Sequence, residues 1–382
     1  MKNIGLFGST GSIGTNTLKI VDDHGDLFRC GVLAAGRKAG DLAKQALRYR
    51  PDTLVMGDPE ALPELREQLG AEASSFRLLA GPEGLREAAA DPRLDVVLSG
   101  VTGAQGLPVS LGALDAGTRL GLANKESMVM AGPLLNALAK EKNTEIIPVD
   151  SEHSALFQCL LTGERADVKK LILTASGGPF RELPKEKFSE VTVEQALKHP
   201  TWDMGPKITV DSATMMNKAL EIVEARWLFG LPRENLDVVV HPQSIVHSMV
   251  LWQDGSVISQ MGAPDMRIPI QYALSYPDRL DSRVETYSPA IFDGLNFYEA
   301  DLERFTSIRL GFHAAEHGGT YGAVLNAANE AAVEMFFARE LGFQGIFDRV
   351  EAVMEKHIPI AEPDLESILE ADAWAREEIH RC

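Results

Sequence analysis

Two carboxylates one residue apart, Asp150 and Glu152, follow a short apolar run that reads as a strand over 145–149. Side chains so placed can converge on one hard cation. An Asp-x-Glu pair is common and on most surfaces is merely solvated, so a third oxygen ligand is needed to separate the two readings. Glu221 is the candidate. It lies in a stretch of helical spacing, 211–228, where Asn217 and Glu221 fall one turn apart on one face, with Ser212 and Lys218 close by. Three carboxylates without a Cys or His pair beside them favour Mg²⁺ or Mn²⁺ over Zn²⁺. A capped, charged helix face is the competing reading.

Other segments could hold anions. Ser176-Gly177-Gly178-Pro179-Phe180 follows an expected strand and offers a hydroxyl with exposed backbone amides, which with Ser212, Asn217 and Lys218 could cradle a phosphate; alone it would be a turn. Gly8, Gly11 and Gly14 follow the first expected strand and open a helix, a place where backbone N–H groups hold a pyrophosphate. Their spacing is GxxGxxG and not GxGxxG, and a tight structural turn is the alternative. After the second strand, where an NAD-binding chain carries an acidic residue for the ribose, stand Gly36, Arg37 and Lys38. Two cations there suit a 2′-phosphate, hence NADP over NAD; a solvated basic loop is the plainer account. His199-Pro-Thr-Trp202-Asp-Met204-Gly205 is turn-rich and reads either as a lid over a substrate or as a loop with a packed Trp.

These residues need a scaffold. Over the first 150 residues, short apolar runs at 4–7, 31–35, 53–56, 95–99, 119–123 and 145–149 alternate with helical stretches, which predicts a doubly wound, Rossmann-like parallel sheet with ligands beyond its carboxyl ends. From 150 to 274 the pattern is α+β. Strands are expected at 168–175 and 236–240, a hairpin over 245–261, and one long helix over 211–228, with Asp211 or Ser212 as N-cap and Gly230 then Pro232 as its stop. A Pro- and Asp-containing linker is expected over 275–299 and a helical domain over 300–382, giving domains 1–149, 150–274 with the lid at 199–206, and 300–382.

Composition excludes several classes. The 382 residues carry 37 Lys+Arg against 55 Asp+Glu, a net charge of −18, which repels nucleic acid. No apolar run is long enough for a membrane span, and no leader is read at the amino terminus. The cysteines, Cys30, Cys159 and Cys382, are far apart and form no Cys-x-x-Cys pair, which fits a cytoplasmic chain.

The motifs GSTGSIG from Gly8, LANKES from Leu122, PVDSEH from Pro148, SGGPF from Ser176, HPTWDMG from His199, VDSATMMNKALE ending at Glu221 and HPQSIVHSMV from His241 closely resemble the 1-deoxy-D-xylulose 5-phosphate reductoisomerase family. The resemblance runs in order along nearly the whole chain, including LNAANE from Leu325. It implies NADPH on Thr10, Gly11, Ser12, Ile13, Gly36, Arg37, Lys38, Asn124, Glu126 and Gly205. It implies a metal on Asp150, Glu152 and Glu221, and a phosphosugar on Lys125, Ser151, Glu152, Ser176, His199, Ser212, Asn217, Lys218 and Glu221. Lys125, Asp150, Glu152 and Glu221 would act in catalysis. Many members have Asn where this chain has Lys38. The implied reaction converts 1-deoxy-D-xylulose 5-phosphate to 2-C-methyl-D-erythritol 4-phosphate on the non-mevalonate isoprenoid route, in a homodimer. From the residues alone, a semialdehyde or homoserine dehydrogenase and a non-catalytic NADP-binding regulator stay open, although Cys159 lies in an apolar helical run and looks structural rather than nucleophilic.

Overall fold

A computed structural model describes every residue except Asp203, Glu285, Thr286 and Tyr287. Asp203 of the expected lid and 285–287 of the expected linker therefore lie outside the described residues. The chain divides into two units. The first comprises Met1–Ser127, Leu135–Ser151 and Asp265–Glu285; the second comprises Met128–Leu134, Glu152–Pro264 and Thr286–Cys382.

The first unit holds β1 (Lys2–Phe7), β2 (Phe28–Ala35), β3 (Thr53–Met56), β4 (Arg77–Ala80), β5 (Val96–Ser99), β6 (Arg119–Leu122) and β7 (Ile146–Pro148). They form one parallel sheet in the order β4-β3-β2-β1-β5-β6-β7. Strands β3 and β5, and β1 from Ile4 onward, are almost wholly apolar and buried, as strands covered by helices on both faces must be. The strand order reverses between β1 and β5, and it is at such a reversal that an open α/β sheet leaves a crevice. Strand β4, Arg-Leu-Leu-Ala at the sheet edge and only partly buried, has no counterpart among the expected strands. Residues 265–285 return to this unit, where the Lys2 ammonium donates to the Leu274 carbonyl at 2.9 Å and Arg119 Nη1 to the Tyr276 carbonyl at 2.7 Å.

In the second unit β8 (Val168–Ala175), β9 (Leu236–Val240), β10 (Val246–Trp252), β11 (Val257–Met261) and β12 (Tyr298–Glu299) form a mixed sheet in the order β11-β10-β8-β9-β12. The expected hairpin is β10–β11, paired antiparallel around Gly255 at φ +88°. The last strand, β12, is two residues long and falls inside the expected linker. The carboxyl-terminal part is helical: Thr306–His317, Tyr321–Phe337, Phe343–Lys356 and Leu365–Glu378. Its apolar centre includes Phe188, Phe305, Phe343 and Phe347, with ring centroids 5.4 to 5.8 Å apart.

One expectation fails. Residues 211–228 are not a single helix; Pro206–Ala213 ends before Met216–Phe229 begins, and Met215 between them has φ +59°. The cause is tertiary. The Thr214 carbonyl, which a continuous helix would present to residue 218, instead accepts from Ser307 Oγ at 2.6 Å, and Thr214 Oγ1 takes the Met216 N–H at 3.3 Å. Asp211 and Ser212 thus lie inside the first helix and cap nothing. The stop is as read: Gly230 at φ +65° returns its N–H to the Arg226 carbonyl.

Candidate active site

The glycine loop is shaped by close backbone approach. Gly8 stands at φ +87°, and a Cβ on it would lie 2.4 Å from the Gly100 carbonyl oxygen at the end of β5. A Cβ on Gly14 would lie 2.3 Å from Gly8 O and 2.4 Å from the Ser9 backbone. Only glycines let the Ser12–Asp23 helix start this tightly against β1, leaving Gly11 and Ser12 exposed at its N-terminus, with Thr10 and Ile13 half-buried. Gly36, Arg37 and Lys38 are exposed beyond β2; Arg37 Nε donates to Asp58 Oδ2 at 2.6 Å, and Asp58 also accepts the Glu60 N–H, interactions that hold its carboxyl below the usual range. Asp58 as the partner of Arg37 was not legible in the sequence, since it follows a different strand.

Asn124 does structural duty. Its amide donates to the carbonyls of Val101 at 2.7 Å and Gly103 at 2.9 Å and to Glu126 at 2.9 Å, while Oδ1 caps the Lys125–Glu141 helix by accepting Ser127 N–H at 3.1 Å. Gly106 makes room for it, since a Cβ there would be 2.2 Å from Asn124 Oδ1. The buried Lys125 pairs with Asp150 directly after β7.

In the second unit Glu152 lies in the first turn of the Ser151–Leu160 helix, which Ser151 opens. The buried Lys218 ammonium donates to Glu152 Oε1 at 2.9 Å and to Glu221, and Asn217 donates to the other oxygen of Glu221. Lys218 therefore sits among the expected metal ligands. Two more residues frame Glu221, both missed in the sequence reading. His153 Nε2–H donates to the Glu221 carbonyl at 2.9 Å, and its Nδ1 is 3.4 Å from Glu224, with both side chains fully buried. The spacing Glu221 to Glu224, three apart on one helix, was the available signal.

Ser176 and His199, both in the implied phosphosugar set, lie with Oγ and Nε2 3.0 Å apart. Gly177 and Gly178 follow at φ +81° and +65°, the Gly178 N–H donates to Ser176 Oγ at 3.3 Å, and a Cβ on Gly178 would meet the Ser212 carbonyl at 2.5 Å. Glycine thus lets the Ser176 turn press against the helix that carries Ser212. Gly205 caps that helix. Trp202 is half-buried, 6.4 Å from the His247 ring.

Family profiles for this chemistry match in succession: 1-deoxy-D-xylulose 5-phosphate reductoisomerase over residues 4–132, its C-terminal domain over 146–229, and the DXP reductoisomerase C-terminal domain over 261–378. The chain is 50% identical over 378 residues to the 1-deoxy-D-xylulose 5-phosphate reductoisomerase of Symbiobacterium thermophilum, covering 98% of this chain and 97% of that one. It belongs to the 1-deoxy-D-xylulose 5-phosphate reductoisomerase family.

The fold agrees with the reductoisomerase family. A solved DOX-P reductoisomerase in complex with NADPH, fosmidomycin and magnesium superposes with a TM-score of 0.93 at 37% identity over 100% of this chain and 98% of the other. The Zymomonas mobilis reductoisomerase in complex with NADPH gives 0.92 at 39%, with the same coverage. As a reductoisomerase-family member the chain is an oxidoreductase, which removes the non-catalytic regulator, and the family match along its whole length removes the semialdehyde or homoserine dehydrogenase. Among the described residues no helix is long and apolar enough to cross a membrane.

Proposed function

We propose that this chain converts 1-deoxy-D-xylulose 5-phosphate to 2-C-methyl-D-erythritol 4-phosphate with NADPH and Mg²⁺ or Mn²⁺, as a step toward isoprenoid precursors. The observation that carries this reading is the buried Lys218 held between Glu152 and Glu221, in a chain whose relatives bear that activity in name along their whole length.

The residues fit both groups. Asp150, Glu152 and Glu221 would together supply an all-oxygen set of the kind that holds a hard divalent cation. Gly8, Gly11 and Gly14 offer a pyrophosphate the bare N-terminus of a helix, and Arg37 and Lys38 suit a 2′-phosphate. When bound, the cation supplies a Lewis acid for breaking and re-forming a carbon–carbon bond, and NADPH supplies the hydride that reduces the resulting aldehyde.

The remaining work belongs to side chains. Brought together on one cation, the three carboxylates with Lys125 and Lys218 would sum to one negative charge, and a divalent cation would turn that into one positive charge, which favours an anionic sugar phosphate. Ser176 Oγ accepts from His199 and from the Gly178 amide, so its own proton is left to donate to a phosphate oxygen. Ser212, Asn217 and Lys218 complete the set of donors, and binding energy spent on the phosphate fixes the reacting end. His199 to Gly205 would close over the bound sugar and exclude water. The chain would act in the cytoplasm as a homodimer through the second sheet, whose edges are β11 and β12.

The test is NADPH oxidation with 1-deoxy-D-xylulose 5-phosphate, with and without Mn²⁺, by the full chain and by Glu221→Gln. Turnover should need both metal and substrate and collapse in the variant, while NADPH binding survives. A Glu221→Gln protein with unaltered metal dependence would take Glu221 out of the site.

A further inference from the structure

The Thr306–His317 helix closes on His313-Ala-Ala-Glu316-His317. Residues four apart on a helix lie one above the other on one face, and the two imidazole rings have centroids 4.2 Å apart. Tyr321, the first residue of the next helix, packs its ring edge-on against both, 4.8 Å from His313 and 5.7 Å from His317. The pair is thus held in place by a neighbour. His317 Nδ1 lies 2.9 Å from the His313 carbonyl oxygen. A carbonyl only accepts, so Nδ1 carries the proton and Nε2 keeps its lone pair. His317 is exposed and His313 partly so, which leaves the edge of the pair open to solvent. Burial, then the neighbouring His317, lower the His313 pKa from its ordinary value and keep that ring neutral at pH 7.

We propose that His313 and His317 chelate one borderline transition-metal ion, Zn²⁺, Ni²⁺ or Cu²⁺, with water completing its coordination shell. Neutral imidazole nitrogens suit these ions and not Mg²⁺, so the pair selects a different metal class from the all-oxygen set of Asp150, Glu152 and Glu221. The ion would tie together the last turn of its helix, directly before Gly318 and Gly319 at φ +64° and +56°. Binding to the folded state alone stabilises that state by mass action, so the site is readable in unfolding as well as in titration.

The experiment titrates the full, Mg²⁺-saturated chain with ZnCl₂ by calorimetry at pH 7.5 or about one unit above the ordinary imidazole value, alongside His313→Gln and His317→Gln. One Zn²⁺ should bind per wild-type chain, and each variant should bind it at least about tenfold more weakly, since loss of a mere outer-shell partner already costs about that much in metal affinity. Zn²⁺ should raise the melting temperature of the wild type and not of His317→Gln, whose metal-free melting temperature stays at the wild-type value because that side chain is exposed. Wild-type Zn²⁺ affinity in both variants, or no Zn²⁺ bound by the wild type, overturns the proposal and leaves the pair a ring stack.

Discussion

The His199 ring and the Ser176 hydroxyl share a proton whose owner is fixed from the far side of the ring. Nδ1 of His199 accepts the backbone N–H groups of Thr201 at 3.1 Å and Trp202 at 2.9 Å, so Nε2 bears the hydrogen and donates it to Ser176 Oγ. One imidazole thereby anchors the start of the expected lid and orients an anion-binding hydroxyl. His199→Asn should lose these contacts together and lower kcat/KM roughly tenfold to a hundredfold, the worth of two or three hydrogen bonds. A steady-state assay that finds it near wild type would make the contact incidental.

The same ring predicts a pH dependence. Burial pushes its pKa from 6.5 down to about 4. In the unfolded chain the ring protonates near 6.5, so the stabilisation from keeping it neutral is complete above that value and is lost as pH falls from 6.5 through 4. Stability measured by denaturant titration across this window should decline less steeply in His199→Asn than in the wild type. Parallel curves would show that His199 titrates as it does in water.

Gly14→Ala tests the nucleotide loop. A methyl group there would sit 2.3 Å from the Gly8 carbonyl oxygen, which is backbone and cannot swing away. Overpacking of this kind costs about 1–3 kcal/mol, and the loop that must move is the one expected to hold the pyrophosphate. Both the melting temperature and NADPH affinity should fall. Retained affinity in a destabilised protein would place the pyrophosphate elsewhere.

Arg37→Ala with Lys38→Ala addresses cofactor choice. Both side chains are exposed, and Arg37 is tethered only by Asp58 among the described contacts, so stability should hardly change. NADPH should bind roughly tenfold or more weakly, the value of a contact to a charged group, with NADH almost unaffected. Fluorescence titration with both cofactors decides it, and equal losses would assign the pair to the fold.

Trp202→Ala tests closure of the 199–206 segment. Beyond its ring contact with His247, Trp202 offers a broad apolar face suited to excluding water. The substitution should lower kcat/KM by more than about tenfold, because orientation and water exclusion suffer together. Proteolysis near Thr201 should be fast in the free protein and slow with substrate and NADPH bound. Equal protection in both states would mean a rigid loop.

What could be read beforehand followed a physical divide. Strands β1, β2, β3 and β5 announce themselves because burial on both faces demands continuous apolar runs, and the glycine loop because backbone contact leaves no room for side chains. Strand β4 was hidden because an edge strand with one exposed and three partly buried residues needs no such run. The break at Met215 was hidden too: no Gly or Pro marks it, and the bond that causes it reaches Thr214 from Ser307, 93 residues away. Around the candidate site, residue types were legible and partners were not. Lys218 was recognised as a functional cation, but only the packing of two helices puts it on Glu152.

The bond from Lys2 to Leu274 joins residues 272 positions apart. On a ribosome adding about 5–20 residues per second, the second residue waits on the order of 10–50 s for that partner to be made. The first sheet is thus among the first structures synthesised, yet its own unit stays unfinished until residues 265–285 emerge, after most of the second unit's strands. During this interval the nascent nucleotide-binding half lacks the segment that Lys2 and Arg119 hold, which makes it the stage at which a chaperone would have most to protect.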